Sequence, residues 1–177
     1  MPHRLTLHPE SVCEAVTSIE VDVVRGSADV LGLRYVVLGG IGGLVLPPRA
    51  RSERTDGLWQ HACFEAFLGD EEGEGYAELN VSPSTQWAGY RFTSYRSERK
   101  EALLPPPRIE LDLCDDRLEL RVALRLRPGG ARRLGLSAVI EEEGGRLSYW
   151  ALAHPPGKAD FHHPDCFALE LAAAGGG

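Results

Sequence analysis

Two neighbouring extended segments carry the side chains that are most capable of chemistry. In an extended chain, successive side chains alternate between two faces. One face of residues 58–68 and 76–82 carries aromatic, imidazole, carboxylate and amide groups, and the opposite face is apolar. The chemically capable side chains of these two segments are Trp59, His61, Glu65, Glu78 and Asn80. A merely solvated face would carry mostly Lys, Thr and Ser, so this composition predicts a face that binds a ligand.

The chemistry that these groups suit best is the recognition of a saccharide. A sugar needs an aromatic platform for its apolar face, and carboxylates, amides or guanidinium groups for its hydroxyls. The predicted ligand-binding residues are Trp59, His61, Glu65, Glu78, Asn80, Trp87, Arg91 and Trp150. We expect Trp87 and Trp150 to stack on the ligand, while His61 completes the polar wall. The alternative is structural: Trp59 or Trp150 fills an edge of the fold, and Glu78 pairs with Arg91.

Catalysis is a second class of function, and it would use the two carboxylates. If Glu65 and Glu78 lie ~5 Å apart, the pair suits a retaining glycosidase, and ~6.5–9.5 Å suits an inverting one. However, the sequence has no nucleophile elbow, zinc signature or cofactor fingerprint. We therefore expect binding without catalysis. A protein-interaction module, in which Trp87 and Tyr95 contact a partner, is a third class.

Two segments have weak metal-binding character. Asp70, Glu72 and Glu74 begin like a calcium-binding loop, but the twelfth position is Val81, where an EF-hand requires a glutamate. An acidic hairpin turn is the expected structure there. Residues 160–165 contain two aspartates and two adjacent histidines, which point apart in an extended loop. One histidine is expected to hold that loop in place, with Asp165 capping the turn.

Composition limits the classes of partner and the compartment. The chain has 177 residues and a formal net charge of −7, which disfavours nucleic acid and anionic membranes. The first 16 residues lack a signal-peptide core, and no stretch approaches the roughly 20 apolar residues of a membrane helix. A cytoplasmic location is therefore expected, with four reduced thiols. Cys63 and Cys114 lie in strand-like runs, where a buried free thiol is expected.

Hydrophobic periodicity predicts an all-β fold that positions these residues. Alternating or apolar runs separated by glycine, proline and aspartate turns indicate about nine or ten short strands. Residues 117–126 alternate most regularly, and only residues 11–18 hint at a helix. Such a pattern predicts an antiparallel β-sandwich. We expect a single domain over residues 1–171 and a flexible tail over 172–177.

Several segments, in this order, resemble the DOMON-like proteins related to family-9 carbohydrate-binding modules. They are LWQHACFEAFL (58–68) with the acidic turn that follows, YAELNVSPSTQWAGYRF (76–92) and DFHHPDCF (160–167). The resemblance covers roughly residues 50 to 171. It implies a jelly-roll or immunoglobulin-like sandwich that binds a sugar or haem.

Haem is the alternative cofactor that this resemblance implies. Met1 is the only methionine, so the Met/His axial pair of haem-binding relatives is not available within the folded body. Ligation by two histidines would use a pair from His61, His154, His162 and His163, although their spacing does not favour it. A small polar ligand, with a saccharide first, remains the expected partner.

Overall fold

The computed structural model describes residues 1–26, 29–126 and 131–171, and they form an antiparallel β-structure. The strands are β1 (His3–Leu7), β2 (Val16–Arg25), β3 (Val30–Gly39), β4 (Cys63–Asp70), β5 (Tyr76–Val81), β6 (Trp87–Phe92), β7 (Lys100–Glu101), β8 (Arg108–Leu113), β9 (Arg117–Arg125), β10 (Ala131–Glu142), β11 (Arg146–Ala151) and β12 (Leu169–Glu170). Short 3-10 turns cover Ile41–Gly43, Leu58–Gln60 and Pro164–Cys166. No helix in these ranges is long and apolar enough to cross a membrane.

The strands form two layers that share β1. The order is β7-β6-β5-β4-β10-β11-β1-β2-β3-β9-β8, with β12 paired to β10. β1 pairs with β2 in one layer and with β11 in the other. The all-β antiparallel sandwich that the sequence predicted is therefore confirmed. The described residues contain twelve strands instead of nine or ten, mainly because β1 and the two-residue β7 were not predicted.

The main core lies between the two layers, and alternation along each strand builds it. In β9, Leu118, Leu120 and Leu124 are fully buried, while Arg121 between them is exposed. Tyr35 of β3 packs on Phe64 of β4 across the core, with 5.1 Å between the ring centroids. Burying such side chains removes apolar surface from water, which is the main stabilising contribution to the sandwich.

A second, smaller apolar cluster covers the other face of β4, β5, β6, β10 and β11. Phe67, Tyr76, Phe92, Phe161 and Phe167 belong to this cluster, so these strands are buried on both faces. Residues 152–168 run over this face and contribute Phe161 and Phe167 to it. The layer that contains β4 and β5 therefore packs on the main core with one face and is covered by residues 152–168 on the other. The predicted ligand face lies beneath this cover.

Several local predictions differ from the structure. Residues 11–15 form no helix, and β2 begins at Val16. All four cysteines are free, but Cys114 is exposed because it follows the edge strand β8. Gly144 and Gly145 form the predicted turn, with φ of 88° and 80° that glycine adopts without steric cost. The predicted tail at 172–177 lies outside the described residues.

The hairpin of β8 and β9 provides a direct test of the core. Leu120 is fully buried, whereas Leu113 on the partner strand is 51% exposed. We expect Leu120→Ala to lower the free energy of unfolding by about 2–5 kcal/mol, because it leaves a cavity. Leu113→Ala should change it by about 0.5 kcal/mol or less. Urea unfolding of both variants measures this, and equal effects would contradict the assignment of the core.

Candidate functional site

Two glutamates form the floor of a cavity on the covered face of the second layer. β4 and β5 pair so that Glu65 lies opposite Asn80, and Phe67 lies opposite Glu78. Glu65 and Glu78 are therefore diagonal neighbours on one face, at 3% and 6% exposure. Their chain neighbours on the opposite face, such as Phe64 and Leu79, anchor both strands in the main core. The period of two in each strand thus fixes which way the carboxyl groups point.

Aromatic rings and loop residues form the walls of this cavity, whose volume is about 440 Å³. The lining residues other than the two glutamates are Trp59, Tyr90, Phe92, Arg96, Arg99, Val139, Tyr149, Ala159, Phe161 and His162. Trp59 is 37% exposed and meets Tyr90 edge-on, with 6.0 Å between the ring centroids. A ring that is partly exposed at a cavity mouth is available to stack on a ligand.

The loop after β6 brings two arginines to the mouth. Arg96 has a positive φ of 52°, and its guanidinium pairs with Asp160 at 2.8 Å. Tyr95 also donates a hydrogen bond to Asp160. These bonds attach the loop to residues 152–168. Arg99 is exposed, and its guanidinium carbon lies 5.8 Å from the Trp59 ring centroid and 5.2 Å from that of Tyr90.

Burial keeps both floor carboxyls protonated to unusually high pH. It raises the pKa of Glu65 well above the ordinary value of 4.5, and the negative charge of Glu78 raises it further. Burial also raises the pKa of Glu78, to about 7, against the opposing effects of Asn80, Arg99 and Arg96. Ser137 donates a long 3.4 Å hydrogen bond to Glu65. The floor can therefore donate as well as accept hydrogen bonds near neutral pH.

His162 is held neutral beside Glu78. Burial, followed by the charge of Arg96, lowers the pKa of His162 to about 4. The Tyr76 hydroxyl accepts the Arg96 N–H at 3.1 Å and lies 2.8 Å from His162 Nδ1. We assign the tautomer that has its proton on Nε2, in which Tyr76 donates to Nδ1 and Nε2 lies 3.8 Å from Glu78 Oε2. His162 therefore presents an N–H donor towards the floor.

No family model matches this sequence, and no curated protein matches it. Solved structures do match. A proposed carbohydrate-binding protein from Bacteroides uniformis aligns at a TM-score of 0.66 and 12% identity, over 93% of this chain and 82% of its own. A family-9 carbohydrate-binding module from Caldicellulosiruptor kristjanssonii, solved with cellotriose, aligns at 0.52 and 11%, over 89% of this chain and 74% of its own. This chain has the fold of the family-9 carbohydrate-binding modules.

Three of the residues predicted from the sequence line the cavity, namely Trp59, Glu65 and Glu78. Asn80 lies on the same strand face as Glu78 but is fully buried beside the cavity. It lies near enough to Glu78 to moderate that group's pKa. Even so, neither atom of its amide has a hydrogen-bond partner of ordinary geometry within the described part of the chain.

The other four predicted residues lie away from the cavity. Trp87 and Trp150 are 6% exposed and belong to the main core, so neither ring is free to stack on a ligand. Trp87 is equally unable to contact a partner's surface. Arg91 pairs with Asp70 and not with Glu78. His61 points outward and lies 2.8 Å from a carboxylate oxygen of Glu141.

Most residues of the cavity walls were not predicted from the sequence. Ala88, Tyr90 and Phe92 are every second residue of β6, so their common face could be read from the sequence. Only the pairing of Ala88 with Asn80 shows that this face is the one that carries Glu78. The loop residues Arg96, Arg99, Phe161 and His162 gave no periodic signal, because the contacts between loops are made in three dimensions.

The weak metal-binding segments have structural explanations. Residues 70–75 form a hairpin turn, in which the Asp70 N–H donates to the Gly75 carbonyl at 2.9 Å. His163, and not Asp165, caps the next turn, since its ring accepts the Asp165 N–H. His154 Nε2 lies 2.8 Å from the Thr6 carbonyl. Across the described ranges, no group of three or more His, Cys, Asp or Glu residues is arranged to hold a metal.

The raised pKa of Glu78 predicts a measurable loss of stability with rising pH. Glu78 ionises near pH 4.5 when unfolded and near pH 7 when folded, so the folded state binds more protons between these values. The stabilisation that is present below pH 4.5 is therefore lost as pH rises to 7, on the order of 3 kcal/mol. Glu78→Gln lacks this loss.

The measurement is urea unfolding of the protein and of Glu78→Gln from pH 4.5 to 8. The lowered pKa of His162 changes stability in the opposite direction as pH rises, since that histidine binds fewer protons when folded. The difference between the two proteins isolates the carboxyl. We expect the variant to gain relative stability as pH increases, and a difference that is constant with pH would contradict the assignment.

Proposed function

We propose that this chain binds a saccharide, without catalysis, in the cavity between Trp59, Tyr90 and the Glu65–Glu78 floor. The observation that carries this proposal is the position of a partly exposed tryptophan beside two buried carboxyls in one cavity. A sugar has an apolar face and a rim of hydroxyls, and it needs these two kinds of surface together.

The polar groups of the cavity can bind hydroxyl groups that donate a hydrogen bond and hydroxyl groups that accept one. A carboxyl accepts hydrogen bonds when ionised and both donates and accepts when protonated. The pKa of Glu78, raised to about 7, makes both of its forms accessible near neutral pH, while burial favours the protonated form of Glu65. His162 adds an N–H donor, and Arg99 adds a guanidinium at the mouth. A ligand with several hydroxyl groups satisfies more of these partners than a purely apolar ligand does.

The size of the cavity and the fold support the same class of ligand. Small-molecule sites commonly have volumes of roughly 300–1,000 Å³, and this cavity has about 440 Å³. The module from Caldicellulosiruptor kristjanssonii with this fold was solved with cellotriose. The protein from Bacteroides uniformis with this fold is itself a proposed carbohydrate-binding protein. Both matches favour a saccharide over haem for the present cavity.

Glycoside hydrolysis is the second candidate, and the paired carboxyls favour it. Glycosidases use one carboxyl as acid and a second as nucleophile or base, and the acid has a raised pKa. Incubation with aryl glycosides distinguishes the two functions. If the unmodified protein releases the phenol and Glu65→Gln and Glu78→Gln do not, hydrolysis replaces binding as the proposed function. We expect no release above the buffer rate.

Calorimetric titration with glucose and cellotriose tests saccharide binding. We expect binding to the unmodified protein, weakened about tenfold or more by Trp59→Ala and by Glu78→Ala, because each removes a contact of more than 1 kcal/mol. His61→Ala is the matched control, since His61 is two residues from Trp59 but points away from the cavity. Loss of affinity in the control alone, or no binding of either sugar, would contradict the proposal.

A further inference from the structure

Four glutamates of this protein are almost completely buried, and they divide into two kinds. Glu119 and Glu142 lie outside the cavity at 2% and 4% exposure, and Glu65 and Glu78 form its floor. A buried carboxylate is costly unless a positive charge or several hydrogen bonds compensate it. Comparison of the four therefore shows where compensation is missing.

Both glutamates outside the cavity have arginine partners. The Glu119 carboxylate lies within ion-pair distance of Arg34, Arg117 and Arg121. Glu142 pairs with Arg146 at 3.0 Å and accepts the backbone N–H groups of residues 14 and 15 at 2.9 and 2.7 Å. Hydrogen bonds from these partners hold the pKa of both carboxyls below the ordinary value, despite the opposing effect of burial.

The floor glutamates have no such partners. Among the described residues, neither Glu65 nor Glu78 forms an ion pair with an arginine or lysine. Their neighbours are neutral: Ser137 donates the long hydrogen bond to Glu65, and Asn80 and His162 lie beside Glu78. Arg96 and Arg99 lower the pKa of Glu78 from a distance, whereas no arginine lowers the pKa of Glu65. The missing positive charge is therefore greatest at the Glu65 end of the floor.

The cavity walls already attract a cation. The guanidinium of Arg99 lies against the rings of Trp59 and Tyr90 at the mouth. Aromatic faces stabilise ammonium groups by the same electrostatic attraction, and more strongly where water is excluded. Tyr149 and Phe161 line the cavity and meet edge-on, with 6.0 Å between their ring centroids. An ammonium group at the floor would lie between aromatic walls and a carboxyl that lacks a counter-ion.

We infer that the saccharide bound in this cavity is an amino sugar, whose ammonium group binds Glu65 while its hydroxyls contact Glu78 and His162. This inference rests on the proposed function and names the class of sugar. Binding neither forms nor breaks a covalent bond. Burial favours the protonated form of Glu65 in the free protein, so the carboxyl releases its proton to solvent as the ammonium group binds. The ligand then supplies the positive charge that arginines supply to the buried glutamates elsewhere in the protein. The arginines at the mouth disfavour the opposite orientation, with the ammonium group outside.

The test compares three sugars that differ at one position. Glucosamine carries an ammonium group, N-acetylglucosamine carries a neutral amide there, and glucose carries a hydroxyl. We expect calorimetry at pH 7 to show glucosamine binding about tenfold or more tightly than either neutral sugar. In Glu65→Gln the three affinities should fall within about threefold of one another, and this lost preference for glucosamine is the readout. Glu72→Gln, in the exposed turn before β5, is the matched change of carboxyl to amide outside the cavity and should keep the preference.

The outcomes separate this inference from the proposed function. Equal affinities for the three sugars would overturn the amino-sugar inference and leave saccharide binding intact. Binding of tetramethylammonium with no binding of any sugar would overturn both, because the ligand would then be a simple ammonium ion. No binding of any probe would also overturn both. The comparison in the unmodified protein decides the matter even if Glu65→Gln fails to fold.

Discussion

The site depends on one constraint, namely that β4 and β5 are buried on both faces. Their apolar faces pack in the main core, and their polar faces lie beneath the loops at 93–99 and 152–168. A slip of one residue in the pairing of these strands would exchange the two faces. The Tyr35 hydroxyl, which donates to the Glu65 carbonyl at 2.8 Å, ties β4 to the opposite layer. The carboxyl groups are therefore held in place by the packing of the whole sandwich.

Burial of this kind gives the same residue type two different electrostatic roles. Glu119 lies on the outer face of the first layer, where arginines of β3 and β9 surround it and keep it ionised. Glu65 and Glu78 are similarly little exposed to solvent, but they lack an arginine partner, and burial raises their pKa values. Glu119 therefore contributes to a network of ion pairs within the protein. The floor pair costs stability near neutral pH, and proteins commonly retain such a cost at sites that bind a ligand.

The cover over the second layer completes the cavity. Loop 93–99 and residues 152–168 are joined by the bonds of Arg96 and Tyr95 to Asp160. The same loop places Arg99 at the mouth, and the longer segment places Phe161 and His162 in the wall. A sandwich without these segments would present Glu78 and Tyr90 on an open sheet. Enclosure excludes water, and this strengthens each electrostatic contact that a ligand makes.

The sequence by itself determined the fold class and the floor of the site. Alternation in β5 and β9 predicts strands. Alternation in β4 and β5 places Glu65 and Glu78 on the face opposite their apolar neighbours, because side chains repeat every two residues. Tertiary structure alone decided the walls. Trp87 and Trp150 had suitable chemistry for stacking, but their strands direct them into the main core. Arg99 and His162 reach the cavity through loops, whose course depends on contacts between distant segments and leaves no periodic pattern in the chain.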